Sequence, residues 1–224
     1  MADNKAVIAV LGGTGHEGAG LAARWAKAGY PVVIGSRDAG RAAEAAAEMA
    51  AKTGGTVTGA ANADAAAAGA IVVLAVPYAG QKALANDVRA QLEGKILIDV
   101  TVPLVPPKVA RVQLPEGGSA VEALQKDLGE GVRVVAAFQN VSAHQLADLD
   151  AEVNCDVLVA GDDIEARETV VQLAKAIGIT ALHAGPLANS AAAEALTSVL
   201  IAINKRYKVA DGAGIRITGI PDLA

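Results

Sequence analysis

The stretch Ala6-Val7-Ile8-Ala9-Val10-Leu11-Gly12-Gly13-Thr14-Gly15-His16-Glu17-Gly18 decides how the rest of the chain is read. A short apolar run breaks into glycines, and residues 17–28 then read as a helix closed by Gly29, a position where a left-handed cap is common. The segment is therefore a strand, a tight turn and a helix in succession. Gly13, Gly15 and Gly18 stand at the G-x-G-x-x-G spacing, which supplies a tight turn, close backbone approach to a pyrophosphate and close packing of helix on strand. Amides left free at the helix start, aided by the helix dipole, would face the anion. Gly13, Thr14, Gly15, His16, Glu17 and Gly18 are thus candidate contacts to a dinucleotide.

Outward from this segment, short Val- and Ile-rich runs alternate with Ala-rich, charge-flecked ones, the rhythm of strands and crossover helices. Strands are expected near residues 6–11, 31–35, 56–59, 70–76 and 95–100, and a second helix over 41–52. Right-handed crossovers would set them into one doubly wound parallel sheet, a Rossmann-type α/β fold. Pro103, Pro106 and Pro107 then forbid helix and interior strand, so residues 101–107 read as a linker or a site loop. Beyond it the rhythm resumes more weakly, with strands near 132–136, 155–160 and 180–184 and helices near 119–128, 164–177 and 190–207. The last helix is long and mostly apolar, and is expected to pack on the sheet or on a second subunit. We divide the chain into a nucleotide-binding domain, 1–135, and a smaller C-terminal lobe for substrate and dimerisation, 136–224. With one Trp, one Phe and three Tyr, core volume must come from Val, Ile, Leu and Ala, which implies closely approaching elements.

The second strand ends in Ile34-Gly35-Ser36-Arg37, where an NAD-binding protein would place a carboxylate for the ribose hydroxyls. A hydroxyl and a guanidinium stand there instead, and the forked donors of Arg suit a 2′-phosphate. Ser36 and Arg37 therefore point to NADP rather than NAD. Asp38, one residue later, is either a helix cap or a ribose ligand. At the end of the fourth strand Val76-Pro77-Tyr78 either borders the nicotinamide at the switch point of the sheet or simply ends the strand.

Other chemistries find little support. A net charge of −5 offers no basic field for nucleic acid. Residues 1–5 lead straight into a strand without a targeting pattern, and the uncharged stretches 65–81 and 176–193 mix Gly, Pro and turn signals, so a cytoplasmic chain without a membrane span is expected. The lone Cys155 sits in an apolar run and reads as buried and inert. His16, His144 and His183 lack metal-ligand spacing, and no metal is expected; only His144 lies in a plausible substrate segment, and there it reads as structural. Asp162-Asp163 reads as a turn and helix cap.

Taken in order, Gly12-Gly-Thr-Gly15, Gly35-Ser-Arg37, Val76-Pro-Tyr78, Pro103-Leu-Val-Pro106, Ser119-Ala-Val-Glu122, Gly161-Asp-Asp163 and Gly185-Pro-Leu-Ala-Asn-Ser190 resemble the NADPH-dependent coenzyme F420 reductases over almost the full length. The resemblance implies a Rossmann domain with a smaller lobe, and direct hydride exchange between NADPH and the deazaflavin F420, both bound in the cleft between them. It implies nucleotide contacts at Thr14, Gly15, Ser36 and Arg37. A dry, flat wall for the second ring is expected from Pro103, Leu104, Val105, Phe138, Val141, Gly185, Pro186 and Leu187, with Gln139 and Asn140 hydrogen-bonding its carbonyl and imide edge and, with Val76 and Pro77, positioning the reactants. Hydride transfer between stacked rings needs alignment and dryness more than an acid or base. Two other readings stay open: an NADPH-dependent reductase of another planar acceptor, such as a flavin or an imine, and a noncatalytic NADPH sensor. A homodimer with a small-molecule cosubstrate is expected.

Overall fold

Ile8–Leu11 (β1) is apolar throughout and every residue in it is buried, so both of its faces must be covered. The computed structural model describes residues 5–220 and shows how. The reading of residues 1–4 as free of a targeting pattern lies outside the described residues, as do the ends of both proposed domains. After β1 come α1 (His16–Lys27), β2 (Val32–Ser36), α2 (Ala39–Thr53), β3 (Val57–Ala61), α3 (Asn62–Ala68) and β4 (Ile71–Leu74). Then follow α4 (Tyr78–Asp87), α5 (Arg89–Leu92), β5 (Ile96–Asp99), α6 (Ala120–Leu128), β6 (Arg133–Ala136) and α7 (Ala143–Ala147). The described chain closes with β7 (Val157–Gly161), α8 (Ile164–Ala176), β8 (Ala181–Gly185) and α9 (Ser190–Tyr207).

All the strands join one eight-stranded sheet in the order β3-β2-β1-β4-β5-β6-β7-β8. The first six are parallel, β7 runs antiparallel to β6, and β8 runs parallel to β7. Chain order reverses between β1 and β4, which makes the space beyond their C-terminal ends the switch-point crevice of the sheet. The expected Rossmann-type α/β class is the observed one. The C-terminal residues extend the same sheet, and the change of strand direction falls next to the proposed boundary at 135.

Two apolar layers cover the sheet. Trp25, Leu21, Val170 and Leu173 pack with Ile8, Val10 and Ile98 on one face, and Leu92, Val121 and Leu124 pack with Leu11, Leu74 and Leu97 on the other. Small residues bring the layers close, as expected: a Cβ on Gly59 would meet the Ala42 carbonyl at 2.2 Å, so α2 lies directly on β3. Helix starts are set by side chains. Asp38 accepts from the Arg41 amide (3.1 Å), Ser119 from Glu122 (2.9 Å) and Asp163 from Ala166 (2.7 Å), each worth about 1 kcal/mol. Asp38 and Asp163 are thus the helix caps that the sequence suggested, and Gly29 takes the left-handed conformation expected of it (φ 84).

The helices α3, α4, α5 and α7 are not foreseen by the sequence reading. They are short, and α3 and α4 are Ala-rich with little periodic contrast, so their formation depends on what they pack against. Leu187–Tyr207 is the one stretch among the described residues long and apolar enough to cross a membrane by length and composition. In the fold it packs beside α6 and β7 and buries Ala193, Glu194 and Leu200. Val199, Ile203 and Tyr207 stay exposed. The chain then turns back across the start of β7, where Asp156 accepts from the Ile217 amide (2.6 Å) and donates its own amide to the Ile215 carbonyl (2.8 Å).

Candidate functional site

The turn after β1 is shaped by its glycines. Gly12 has φ 81, and a Cβ there would stand 2.3 Å from the Ala75 carbonyl oxygen and 2.8 Å from Val76 Cγ1. Gly12, outside the expected triplet, is therefore the residue that lets the turn lie against the end of β4. Gly18 has the packing role expected of it, since its Cβ would meet the Gly12 carbonyl oxygen at 2.7 Å and Ala75 Cβ at 3.0 Å. Gly13 is pressed on Val10 and Ile34 in the same way. Gly15 differs, because a Cβ there meets only the Gly12 oxygen at 3.3 Å. Gly15 also starts α1, and no side chain caps the helix. Thr14, Gly15 and His16 are exposed around it. An uncapped helix start with open space at a glycine fits an anion such as a pyrophosphate.

At the end of β2, Ser36 is half-buried and its hydroxyl accepts from the Asp38 amide at 3.3 Å. Arg37 is exposed and forms no salt bridge among the described residues. Asp38 caps α2 through one of its oxygens, and the Ser36 and Arg37 donors beside it fit a phosphate.

The ends of β4 and β5 meet this turn. Val76 is half-buried and Pro77 exposed, and the Val76 carbonyl accepts from the Thr101 hydroxyl at 3.4 Å. Beneath them are acids, of which the sequence reading assigned only Glu17, as a dinucleotide contact. Asp99, the last residue of β5, is fully buried. It accepts from Gln81 Nε2 at 2.5 Å and from the Thr101 amide at 2.8 Å, yet burial pushes its carboxyl up despite these bonds. Glu17 keeps some contact with solvent at the rim of the crevice. Desolvation by the surrounding protein, and then the Asp99 charge, push its carboxyl up to about 8. Glu194 on α9 is buried and likewise raised by burial. It accepts from the Ser119 hydroxyl (2.7 Å) and from the Ala120 (2.8 Å) and Val121 (3.2 Å) amides. The missed signal was a charge in place of an apolar residue, Asp99 at the tip of an otherwise apolar strand.

Residues 138–141 follow β6 and reach the same rim. Gln139 donates Nε2 to the Asp99 carbonyl (2.8 Å), and Asn140 donates Nδ2 to the Asp156 carbonyl (2.8 Å) and to Cys155 Sγ (3.2 Å). Their side-chain oxygens have no protein partner. Asn140 has both amide hydrogens engaged and can only accept from a ligand, whereas Gln139 keeps one N–H as well as its oxygen for a ring edge. Phe138 is also not a wall for a ring: it is held at φ 72, fully buried, and packs edge-on against Trp25 with centroids 5.9 Å apart.

Gly185, Pro186 and Leu187 stand apart from the other segments. Gly185 ends the edge strand β8, three strands from β5 and so ~14 Å away across the sheet, and the chain then returns so that Leu187 packs beside β6 and α6. The Gly185 carbonyl accepts from Arg167, the Leu187 amide donates to Asp162, and the Leu187 side chain is fully buried. These contacts serve the packing of the sheet edge. Pro103 is buried, Leu104 half-buried and Val105 exposed in the loop after β5. The structure thus brings together 12–18, 76–77, 101–105 and 139–141, and leaves 185–187 outside. Next to 139–141 lies a recess of about 190 Å³ that also takes in Ser142, Thr197, Leu200, Ile201 and Asn204. Its α9 residues could not be found from sequence, since a helix 60 residues away carries no local sign of facing this rim. Cys155 is buried and burial raises its thiol, in keeping with the inert reading, while His144 is exposed on α7.

Residues 7–103 match the family model described as NADP oxidoreductase, coenzyme F420-dependent. Over 223 residues the chain is 44% identical to the F420-dependent NADP reductase of Methanothermobacter thermautotrophicus, covering 96% of each chain. It is 42% identical over 222 residues to that of Methanocaldococcus jannaschii, covering 95% of this chain and 98% of the other. A crystal structure from Arthrobacter sp. FB24, assigned as an F420-dependent NADP reductase, superposes with a TM-score of 0.76 at 29% identity, covering 91% of this chain and 96% of that one.

Proposed function

Because the chain belongs to the family of F420-dependent NADP reductases, we propose that it is an NADP-dependent oxidoreductase that moves a hydride between NADP(H) and coenzyme F420. When bound, NADPH supplies the hydride and the deazaflavin accepts it. The observation that carries this reading is the convergence, at one switch-point crevice, of the uncapped glycine turn with the end of β4 and the 139–141 segment. Gly13, Thr14, Gly15, His16 and Gly18 would hold the pyrophosphate, and Ser36 and Arg37 the 2′-phosphate. Val76 and Pro77 would border the nicotinamide. Pro103, Leu104, Gln139, Asn140 and Val141 would border the second ring and keep water from the hydride path. At about 190 Å³ the recess beside them is smaller than the several hundred that whole ligands occupy, so it suits one edge of a tricyclic ring.

The finer expectations belong to the same proposal. The nucleotide part would end near 135 and the acceptor part follow it; the protein would be cytoplasmic, and a homodimer through the exposed Val199, Ile203 and Tyr207 of α9. The activity is tested by mixing the protein with NADPH and, in turn, F420, FMN, riboflavin and simple imines while following nicotinamide absorbance. Turnover with F420 alone supports the reading. Turnover with another acceptor and none with F420 would replace the substrate, and none with any would favour a sensor.

A further inference from the structure

The glycine turn follows β1 and the 139–141 rim follows β6, and these strands stand three places apart in the sheet, ~14 Å. The two ring sites are thus built on separate parts of the sheet. The helix after β1 and the segment after β6 nevertheless meet directly, through three contacts. A Cβ on Gly20 would stand 2.6 Å from Leu146 Cβ and 3.1 Å from the Leu146 carbonyl carbon, so α1 and α7 touch backbone to backbone. One turn on, Arg24 is buried and forms no salt bridge among the described residues. Its guanidinium donates to the carbonyls of Leu146 (3.0 Å), Gln145 (2.8 Å), Ala151 (3.0 Å) and Asp148. Beside it Trp25, the only tryptophan of the chain, packs edge-on against Phe138.

A buried guanidinium without a carboxylate is expensive, and an apolar side chain would pack α1 against α7 without that cost. What the charge adds is direction. The last carbonyls of a helix have no partner within it, and in α7 Arg24 supplies the donors for those of Gln145 and Leu146, so the segment takes one register along α1. Gln145 carries the constraint further: its Nε2 donates to the Gly212 carbonyl (3.0 Å), and the neighbouring Ala213 amide donates to Asn204 Oδ1 (2.7 Å). Ala213, Asn204 and Ser142 all line the recess beside 139–141. Phe138, the residue before Gln139, is held at φ 72, which an aromatic residue keeps only where its surroundings enforce it. Strain of this kind gathers where a site fixes the position of its neighbours.

We propose that Gly20 and Arg24 are positioning residues for hydride transfer: by fixing residues 139–147 at one distance and one register on α1, they set how closely the second ring approaches the nicotinamide. This rests on the reductase reading of the crevice and adds to it the part of the chain that sets the spacing. A nucleotide held at the start of α1 and an acceptor held by 139–141 are then both referred to one helix. Gly20 and Arg24 act through α7 and touch no ligand. Transfer between two rings depends steeply on approach, and a misplacement of ~1 Å can slow a reaction about a hundredfold. A methyl group at Gly20 has to move Leu146 by ~1 Å to reach ordinary contact.

The test is a single-turnover measurement in which protein loaded with NADPH is mixed rapidly with F420 and the hydride step is followed by absorbance, in the wild type, Gly20→Ala, Arg24→Met and Arg24→Lys. NADPH affinity is read by fluorescence titration, and the packing of Trp25 on Phe138 by near-UV circular dichroism. Alanine favours helix over glycine, and Met keeps the apolar stem of Arg, so α1 itself should persist in each variant. Gly20→Ala and Arg24→Met are expected to slow the hydride step about tenfold to a hundredfold, to alter the near-UV band, and to leave NADPH affinity within about twofold. Arg24→Lys, which keeps a donor for the carbonyls, should recover part of the rate. A folded Gly20→Ala or Arg24→Met that transfers hydride at the wild-type rate would overturn the proposal. So would a rate loss matched by an equal loss of NADPH affinity, which would place the fault in the nucleotide turn. If Arg24→Met does not fold, Gly20→Ala and Arg24→Lys decide by the same criteria. Absence of hydride transfer to F420 in the wild type would instead overturn the reductase reading itself.

Discussion

At the scale of the residue, charge placement makes the sharpest predictions. Arg37 is an exposed guanidinium with no salt-bridge partner among the described residues, at the end of a strand whose following acid caps a helix. Arg37→Ala should weaken NADPH by about 1.5–3 kcal/mol, the scale of a charge-assisted bond, and leave NADH nearly unchanged. Fluorescence titration of both nucleotides separates this from a uniform loss, which would mean that Arg37 serves the fold. Glu17 makes the opposite kind of claim, about stability. Its carboxyl is raised from 4.5 to about 8 in the folded chain, so between those values the folded state binds more protons than the unfolded one. Stability is then fullest below about 4.5 and falls as pH rises toward 8. Asp99 and Glu194, raised as well, add to the same slope. Thermal unfolding from pH 5.5 to 8.5 should show a falling Tm, with a shallower fall in Glu17→Gln; a Tm that rises across this range would refute it.

At the scale of the element, two glycines of one turn should respond differently. A side chain at Gly15 meets only one protein atom, at 3.3 Å, and its φ of −82 suits any residue. Gly15→Val should therefore fold and lose nucleotide binding, because the side chain fills the space an anion would use. Gly12→Ala instead forces a Cβ to 2.3 Å from a carbonyl oxygen at φ 81 and should destabilise the fold itself. Circular dichroism together with nucleotide titration distinguishes the outcomes, and tight binding by Gly15→Val would refute the placement. Helix α6 offers a second case. Its start is bonded by Glu194 from α9, so Glu194→Ala leaves the Ala120 and Val121 amides short of an acceptor, while the Ser119 hydroxyl keeps the Ser190 hydroxyl. A loss of about 2–4 kcal/mol in urea unfolding is expected. A loss within 0.5 kcal/mol would show that water replaces the carboxylate at no cost.

At the scale of the whole molecule, α9 ties together what the sheet alone would leave apart. It bonds the start of α6 through Glu194, holds the Gln139 carbonyl through the Thr197 hydroxyl (2.7 Å), and presents Val199 and Ile203 outward. Val199→Glu with Ile203→Glu should convert a dimer to a monomer in light scattering while the fold persists; a wild-type monomer would remove that proposal. The sequence by itself determined the glycine turn, the strand and helix rhythm, the helix cap at Asp163, and the donors at Ser36 and Arg37 where a carboxylate would otherwise stand. These are local properties: a turn, a cap or a strand end is specified by residues within a few positions of it. Only the tertiary structure decided that Gly185 ends an edge strand three strands from β5, that Phe138 faces Trp25, and that Asn140 has already spent both its donors. It alone brought Glu17, Asp99 and Glu194 into one uncompensated group, from positions up to 177 residues apart. Sheet order and the direction of β7 set these distances, and both depend on which faces bury each other across the whole chain, a property that no window of the sequence contains.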